Sequence, residues 1–369
     1  MKGFADSLRL SVVLASFAAT LALGVPLSPT ISERGTPHAN RSLRAGAGTP
    51  EIHSRSFDFR YVVDVPAPPR GGHHLRLWIP LPYQDAYQVI SDLRIQAPVR
   101  YSIRSEREFH DRYAYFNLGA ARIKSPFQIE FSFHVERFEH RVALHPVASA
   151  PALTPAVERF LRPDRLIPID GAIGRLSRRQ TQGVTQPLAK ARKIYDYVIA
   201  TMHYDHRGTG WGRGDAVWAC NAKHGNCTDF HSLFIGMARA AGIPARFEIG
   251  FPLPLHAREG AIAGYHCWVE FFVTGIGWIP IDASEAWLDP SKKNYFFGAI
   301  DSNRVMFSMG RDIRLIPPPA AGPLNYFVYP YAELDGRPFP GLHRQFSFRD
   351  DAAPRPAVAQ DPRTMPASR

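Results

Sequence analysis

Three residue types that together can move an acyl group through a sulfur stand in order along the chain. They are Cys227 in HGNCTDFHSLF (224–234), His266 in GYHCWVEFF (264–272) and Asp282 in WIPIDAS (278–284). A free thiol has a pKa of about 8.5, so only a small share is thiolate at neutral pH unless a helix N-terminus or an imidazole favours the anion. An imidazole can accept the thiol proton and return it to a leaving amine, while a carboxylate on its other nitrogen fixes the tautomer and stabilises the cation. With Cys227 as nucleophile, His266 as base and Asp282 as orienter, the chemistry is attack on an amide carbonyl.

That chemistry needs elements to aim it. After Cys227, the apolar residues Phe230, Leu233, Phe234, Met237, Ala238 and Ala241 recur at helical spacing, the stripe of a helix buried along one side. Gly242-Ile243-Pro244 supplies a stop, and Asn226 can cap, which puts Cys227 in the first turn beside free N–H groups. Those donors favour a thiolate and can hold an oxyanion. The run from His266 alternates, with His266, Trp268, Glu270 and Phe272 on one face and Cys267, Val269, Phe271 and Val273 on the other. This alternation predicts that Cys267 is structural, among apolar neighbours. A hairpin through TGIG leads to Asp282. If Trp268 opposes Asp282, then His266 and Asp282 are diagonal neighbours about 7 to 8 Å apart at the backbone, and a slip of one residue would turn Asp282 away.

GNCTDFHSLFIGMARAAGIPAR, HCWVEFF and GWIPIDAS together resemble the transglutaminase-like superfamily. The resemblance covers residues 185 to 300. It implies an α+β, papain-like core in which a helix bearing the cysteine packs on an antiparallel sheet bearing the histidine and aspartate. It also implies a Cys227-His266-Asp282 triad and acyl transfer through a thioester, resolved by water in a peptidase or amidase and by an amine in a cross-linking enzyme. Many members carry Ala where this chain has Cys267. The side-chain oxyanion donor of the family has no motif here, and Tyr204, Trp211 and Trp218 are the candidates.

Competing readings attach to the same residues. Cys220, His224, Cys227 and His231 have the spacing of a zinc site, although the preferred reading has no metal and no cofactor. A non-catalytic binding or scaffold protein of the same fold would be expected to lose a triad residue, and all three stand. Cys220 and Cys227 could form a masking disulfide, the alternative being a free Cys220. Trp211, Trp218, Trp268 and Trp278 could line a groove, but core packing is the ordinary role.

The remaining chain frames this core. Residues 1–24 read as a signal peptide, with Lys2 and Arg9 before an apolar run, and 25–54 as a linker. Short alternating runs from 55 to 145 predict a β-sandwich accessory domain, followed by a catalytic domain at 150–345 and a disordered tail at 346–369. The formal charge is +11; the leader's two bases and one acid count for +1 of it, leaving +10 without a dense basic block. That spread disfavours nucleic acid as a partner. The expected substrate is a protein or peptide amide, free or attached to the cell envelope, met in the periplasm or after secretion, with no membrane span once the leader is removed.

Overall fold

The computed structural model describes residues 53–119, 123–145 and 152–352. The leader, nearly all of the linker and residues 353–369 of the tail lie outside the described residues. Seven strands come first: β1 (Ser54–Val65), β2 (His74–Pro80), β3 (Gln88–Gln96), β4 (Ser102–Ser105), β5 (Arg112–Gly119), β6 (Phe127–Phe138) and β7 (His140–Arg141). β1 shows why they form. Phe57, Phe59, Tyr61, Val63 and Val65 are buried on one face while Asp58 and Arg60 face out, the two-residue period of a half-covered strand.

Helices follow: α1 (Pro155–Glu158), α2 (Gly171–Gln180) and α3 (Pro187–Thr201). Then come β8 (His203–Tyr204), α4 (Ala216–Ala222), β9 (His224–Gly225), α5 (Cys227–Ala240), β10 (Ala245–Pro252) and β11 (Glu259–Ala261). β12 (His266–Val273), β13 (Gly277–Ile281), α6 (Ala283–Leu288), β14 (Ala299–Ile300) and β15 (Arg304–Met309) complete the core, and β16 (Tyr331–Leu334), β17 (Arg337–Pro338) and β18 (His343–Asp350) close the chain. The architecture is α+β, as expected.

α5 is the central helix. A one-sided stripe was expected, yet every residue from Cys227 to Arg239 is buried. The helix packs on β10 and β12 and is surrounded by α2, α3, α4 and α6, so its polar face is covered as well. That face is satisfied internally: Arg311 Nη1 donates to Ser232 Oγ at 2.8 Å and Arg239 Nη1 to Asp164 at 2.7 Å. The antiparallel sheet beneath has the order β13-β12-β10-β15.

Two five-stranded sheets are ordered β11-β18-β1-β6-β3 and β17-β16-β2-β5-β4, and two short pairs, β14-β7 and β8-β9, complete the strands. Each five-stranded sheet takes strands from both ends of the chain. β18 pairs with β1 from Phe57 opposite Asp350 to Asp64 opposite His343, and β16 pairs with β2. This moves two sequence-based bounds. Residues 346–350, placed in a disordered tail, are in β18, with Phe346 and Phe348 buried, and the sandwich does not end at 145. The physical reason is that β1 would otherwise be an unpaired edge with an apolar face. The described residues, 53–352, fall in one compact unit.

Candidate active site

The start of α5 is fixed by a capping box. Asn226 Oδ1 accepts the Thr228 N–H at 2.9 Å, and Asp229 Oδ2 accepts the Asn226 N–H at 3.0 Å. Asp229 also gathers the preceding glycine-rich loop, accepting N–H bonds from Gly212 at 2.7 Å and Gly214 at 3.0 Å. Gly225 has φ +148, and a β-carbon there would run into Asp229, so the loop needs glycine at that point. The Tyr265 hydroxyl ties this turn to the head of β12, accepting from Asn226 Nδ2 at 2.9 Å and lying 2.9 Å from Thr228 Oγ1. Cys227 therefore sits in the first helical turn, beside His266.

The hairpin register is the expected one. Val269 opposes Ile281 and Glu270 opposes Pro280, so one further step brings Trp268 opposite Asp282. His266 Nε2 then lies 2.6 Å from Asp282 Oδ2, so the ring's other nitrogen is free of that bond, and Cys227 is near enough to raise the imidazole's pKa. Asp282 is 0% exposed, yet its carboxylate is well supplied. Oδ1 accepts from the Glu285 N–H at 3.0 Å and the Ser284 hydroxyl at 2.9 Å, and Oδ2 also accepts from Arg304 Nη1 at 3.1 Å.

These contacts set the protonation states. Burial resists the Cys227 thiolate, but hydrogen bonds with Cys267 and His266 and the positive charge of His266 outweigh it, holding the thiol well below its ordinary range. Burial likewise resists the His266 cation, and Asp282 overcomes it, raising the imidazole well above its ordinary value. Asp282 is desolvated too, yet the charge of His266 beside it holds its carboxyl well below the usual carboxylate range. The arrangement favours a thiolate–imidazolium pair over a thiol and a neutral ring.

Arg304, from β15, was not found from the sequence. It is buried, its guanidinium lies 4.9 Å from the centre of the Trp268 ring, and nothing in the run RVMFSM marks it. His231, one turn after Cys227, is buried behind the triad. Its Nε2 accepts the Ala283 N–H at 3.1 Å, so the proton of the neutral ring is on Nδ1, 3.4 Å from Cys267 Sγ. Cys267 departs from expectation. It lies in the core on the predicted face, but that face meets the first turns of α5, and its neighbours there are His231, Thr228 and the Cys227 sulfur.

Among the oxyanion candidates, Tyr204 reaches the nucleophile. Its hydroxyl lies beside Cys227, and burial beside the sulfur pushes its pKa up. The Trp211 indole donates to Gly208 O at 3.2 Å and stacks on His206 at 4.5 Å, while Trp218 meets His224 edge-on at 5.2 Å. Trp268 donates to Glu248 at 2.6 Å in the interior and Trp278 packs edge-on against Phe160, so both belong to the core.

The zinc spacing does not become a site. Among the described residues, the group whose donor atoms converge as metal ligands would is Asp58, His134 and Asp351, away from the triad, and Cys220, His224, Cys227 and His231 do not gather. All three cysteines are free. A cavity of about 700 Å³ adjoins the imidazole and is lined by His266, Glu285, Tyr295 and Arg304 among others. A larger one of about 780 Å³ lies over β1, β6 and β18 and contains no triad residue, so position beside the reactive groups, and not size, identifies the cleft.

Residues 174–283 match the transglutaminase-like superfamily, a stretch that holds Cys227, His266 and Asp282. An uncharacterized protein of Haemophilus influenzae is 28% identical over 319 residues, which is 76% of this chain and 86% of that protein. A crystal structure from Cytophaga hutchinsonii, named as a candidate cysteine protease, is 18% identical with a TM-score of 0.55, covering 84% of this chain and 96% of its own. The periplasmic domain of TgpA from Pseudomonas aeruginosa is 17% identical with a TM-score of 0.35, covering 65% of this chain and 93% of its own. The likeness to the Cytophaga protein is one of fold. Residues 174–283 therefore carry a core that matches the transglutaminase-like superfamily.

Proposed function

We propose that the chain is a thiol-dependent acyl-transfer enzyme that opens amide bonds in proteins or peptides through a thioester on Cys227. The observation that carries this reading is the convergence of a helix-start thiol, an imidazole and a buried carboxylate, with His266 Nε2 2.6 Å from Asp282. The Cys227 thiolate attacks the carbonyl carbon, and the oxygen, now negative, is held by the Cys227 N–H and the Tyr204 hydroxyl. His266 gives its proton to the leaving amine as the C–N bond breaks. Water, or a second amine, then loses a proton to His266 and attacks the thioester, freeing Cys227. Asp282 keeps the ring oriented throughout, and Arg304 holds Asp282. The fold shared with a protein named as a candidate cysteine protease favours water as the acceptor. The apolar run after Lys2 and Arg9 favours export, with the periplasm or the exterior as the place of action.

The test is a panel of glutamine-containing and stem-like peptides incubated with the purified chain, with and without a labelled primary amine. Release of ammonia or of a shortened peptide marks hydrolysis, and label in the product marks transfer. Cys227→Ala should abolish both. Turnover that survives in Cys227→Ala would sink the reading.

A further inference from the structure

A second sulfur lies against the turn that carries Cys227. Cys267 points from β12 into this turn, the first of α5. Its Sγ is 4.0 Å from Thr228 Oγ1, the residue next to Cys227, and 3.4 Å from Nδ1 of His231, one turn further on. Both thiols are buried, at 1% and 0% exposure, and His231 is buried with them. The second sulfur is thus held against the turn that carries the first by two side chains of one helix, Thr228 and His231, and no step of the acyl transfer described above passes through it.

We propose that Cys267 is a resolving thiol for Cys227, so that a hydroperoxide converts the pair into a reversible disulfide that switches the nucleophile off and protects it. This inference rests on Cys227 being the reactive sulfur. The steps balance. The Cys227 thiolate displaces one oxygen of hydrogen peroxide, giving a sulfenic acid and hydroxide, with sulfur oxidised and the peroxide reduced. The Cys267 sulfur then attacks the sulfenic sulfur, the S–O bond breaks, and the thiol proton leaves with hydroxide as water. His231, whose Nδ1 proton faces Cys267, orients that sulfur and stabilises negative charge on it as its own proton departs. Without Cys267 the sulfenic acid has no thiol at hand and is open to further oxidation to the sulfinic acid, which reductants such as dithiothreitol do not reverse.

The test uses the full chain. Reduced protein is exposed to hydrogen peroxide, free thiols are blocked with iodoacetamide, and peptides are mapped by mass spectrometry without reductant. The expected product is a peptide pair joined through Cys227 and Cys267, lighter by two hydrogens than the sum of its halves. Labelling of Cys227 should be lost and should return in full with dithiothreitol. In Cys267→Ser the same treatment should leave sulfinic acid on Cys227, and dithiothreitol should not restore labelling. A wild-type product with Cys227 as sulfinic acid and Cys267 still alkylated would overturn the proposal, as would a link between Cys220 and Cys227. The wild-type map stands even if the variant fails to fold. Because the readout is mass and not turnover, failure of the amide assay and failure of the disulfide are separate results.

Discussion

At the scale of single residues, the site's chemistry turns on where the proton of Cys227 rests. The thiol is held well below its ordinary range and the His266 ring well above its own, so the ion pair exists between the two values. Thiolate reactivity is present above the folded thiol's pKa and is lost as pH falls through it. Alkylation of Cys227 by iodoacetamide should therefore stay fast below neutral pH, and His266→Ala should move the midpoint upward towards the ordinary thiol value of about 8.5. A wild-type midpoint already at that value would remove the imidazolium from the mechanism. A second test concerns the oxyanion. Tyr204→Phe keeps the ring and deletes the hydroxyl that lies beside Cys227. It should lower kcat by about 10²- to 10³-fold, the usual cost of one oxyanion donor, with little change in KM. Loss confined to KM would make Tyr204 a substrate contact and return the donor's identity to the open list. The triad residues were legible because each sits in a local pattern, a capped helix or an alternating strand. Arg304 and the true neighbours of Cys267 were not, because they depend on which elements the fold lays side by side.

At the scale of elements, the N-terminus of α5 is where sequence and site meet. The helix was legible from Asn226 to Gly242, since its cap, its stripe and its stop are all local signals. What no periodicity gives is the work of Asp229. Beyond closing the capping box, its carboxylate collects N–H bonds from Gly212, Gly214 and Asn226, so one side chain fastens the loop that crosses the nucleophile's turn. The two capping residues should therefore differ in weight. Asn226→Ala should cost about 1 kcal/mol, the usual loss of a helix cap. Asp229→Ala leaves buried donors without acceptors, at about 1 to 3 kcal/mol for each that finds no water, and should be the more damaging change. Urea unfolding measures both. Equal losses in the two variants would show that the loop's N–H groups find other partners and that Asp229 acts as a cap alone.

At the scale of the whole molecule, the sheet that carries His266 and the sheet built on β1 share one interior. Phe251 of β10 lies 4.1 Å from Phe346 of β18 and 5.9 Å from Phe59 of β1, and Phe307 of β15 lies 5.7 Å from Phe59, all measured between ring centres. A core cut at residues 174–283 would keep Phe251 and lose the rings that cover it. The sequence shows the two textures, alternating strands first and helices after, but it does not show that strands from the far end complete the first sheets. HRQFSFRD alternates as a strand should, yet it is short and runs into a proline-rich end, so local pattern alone favours a tail. The pairing of β18 with β1 along Phe57 to Asp64 decides otherwise. It follows that a chain ending at Pro340, which lacks β18, should lose more than its last residues. Burial of Phe346 and Phe348 contributes about 1.5 to 3 kcal/mol for each ring, and the loss of β18 also bares the edge of β1. Scanning calorimetry of residues 53–352 should show one transition that includes the triad, and the truncated chain should aggregate or unfold well below it. A truncated chain that keeps both the melting temperature and the fast alkylation of Cys227 would show that the catalytic core stands apart from the sheets that share its interior.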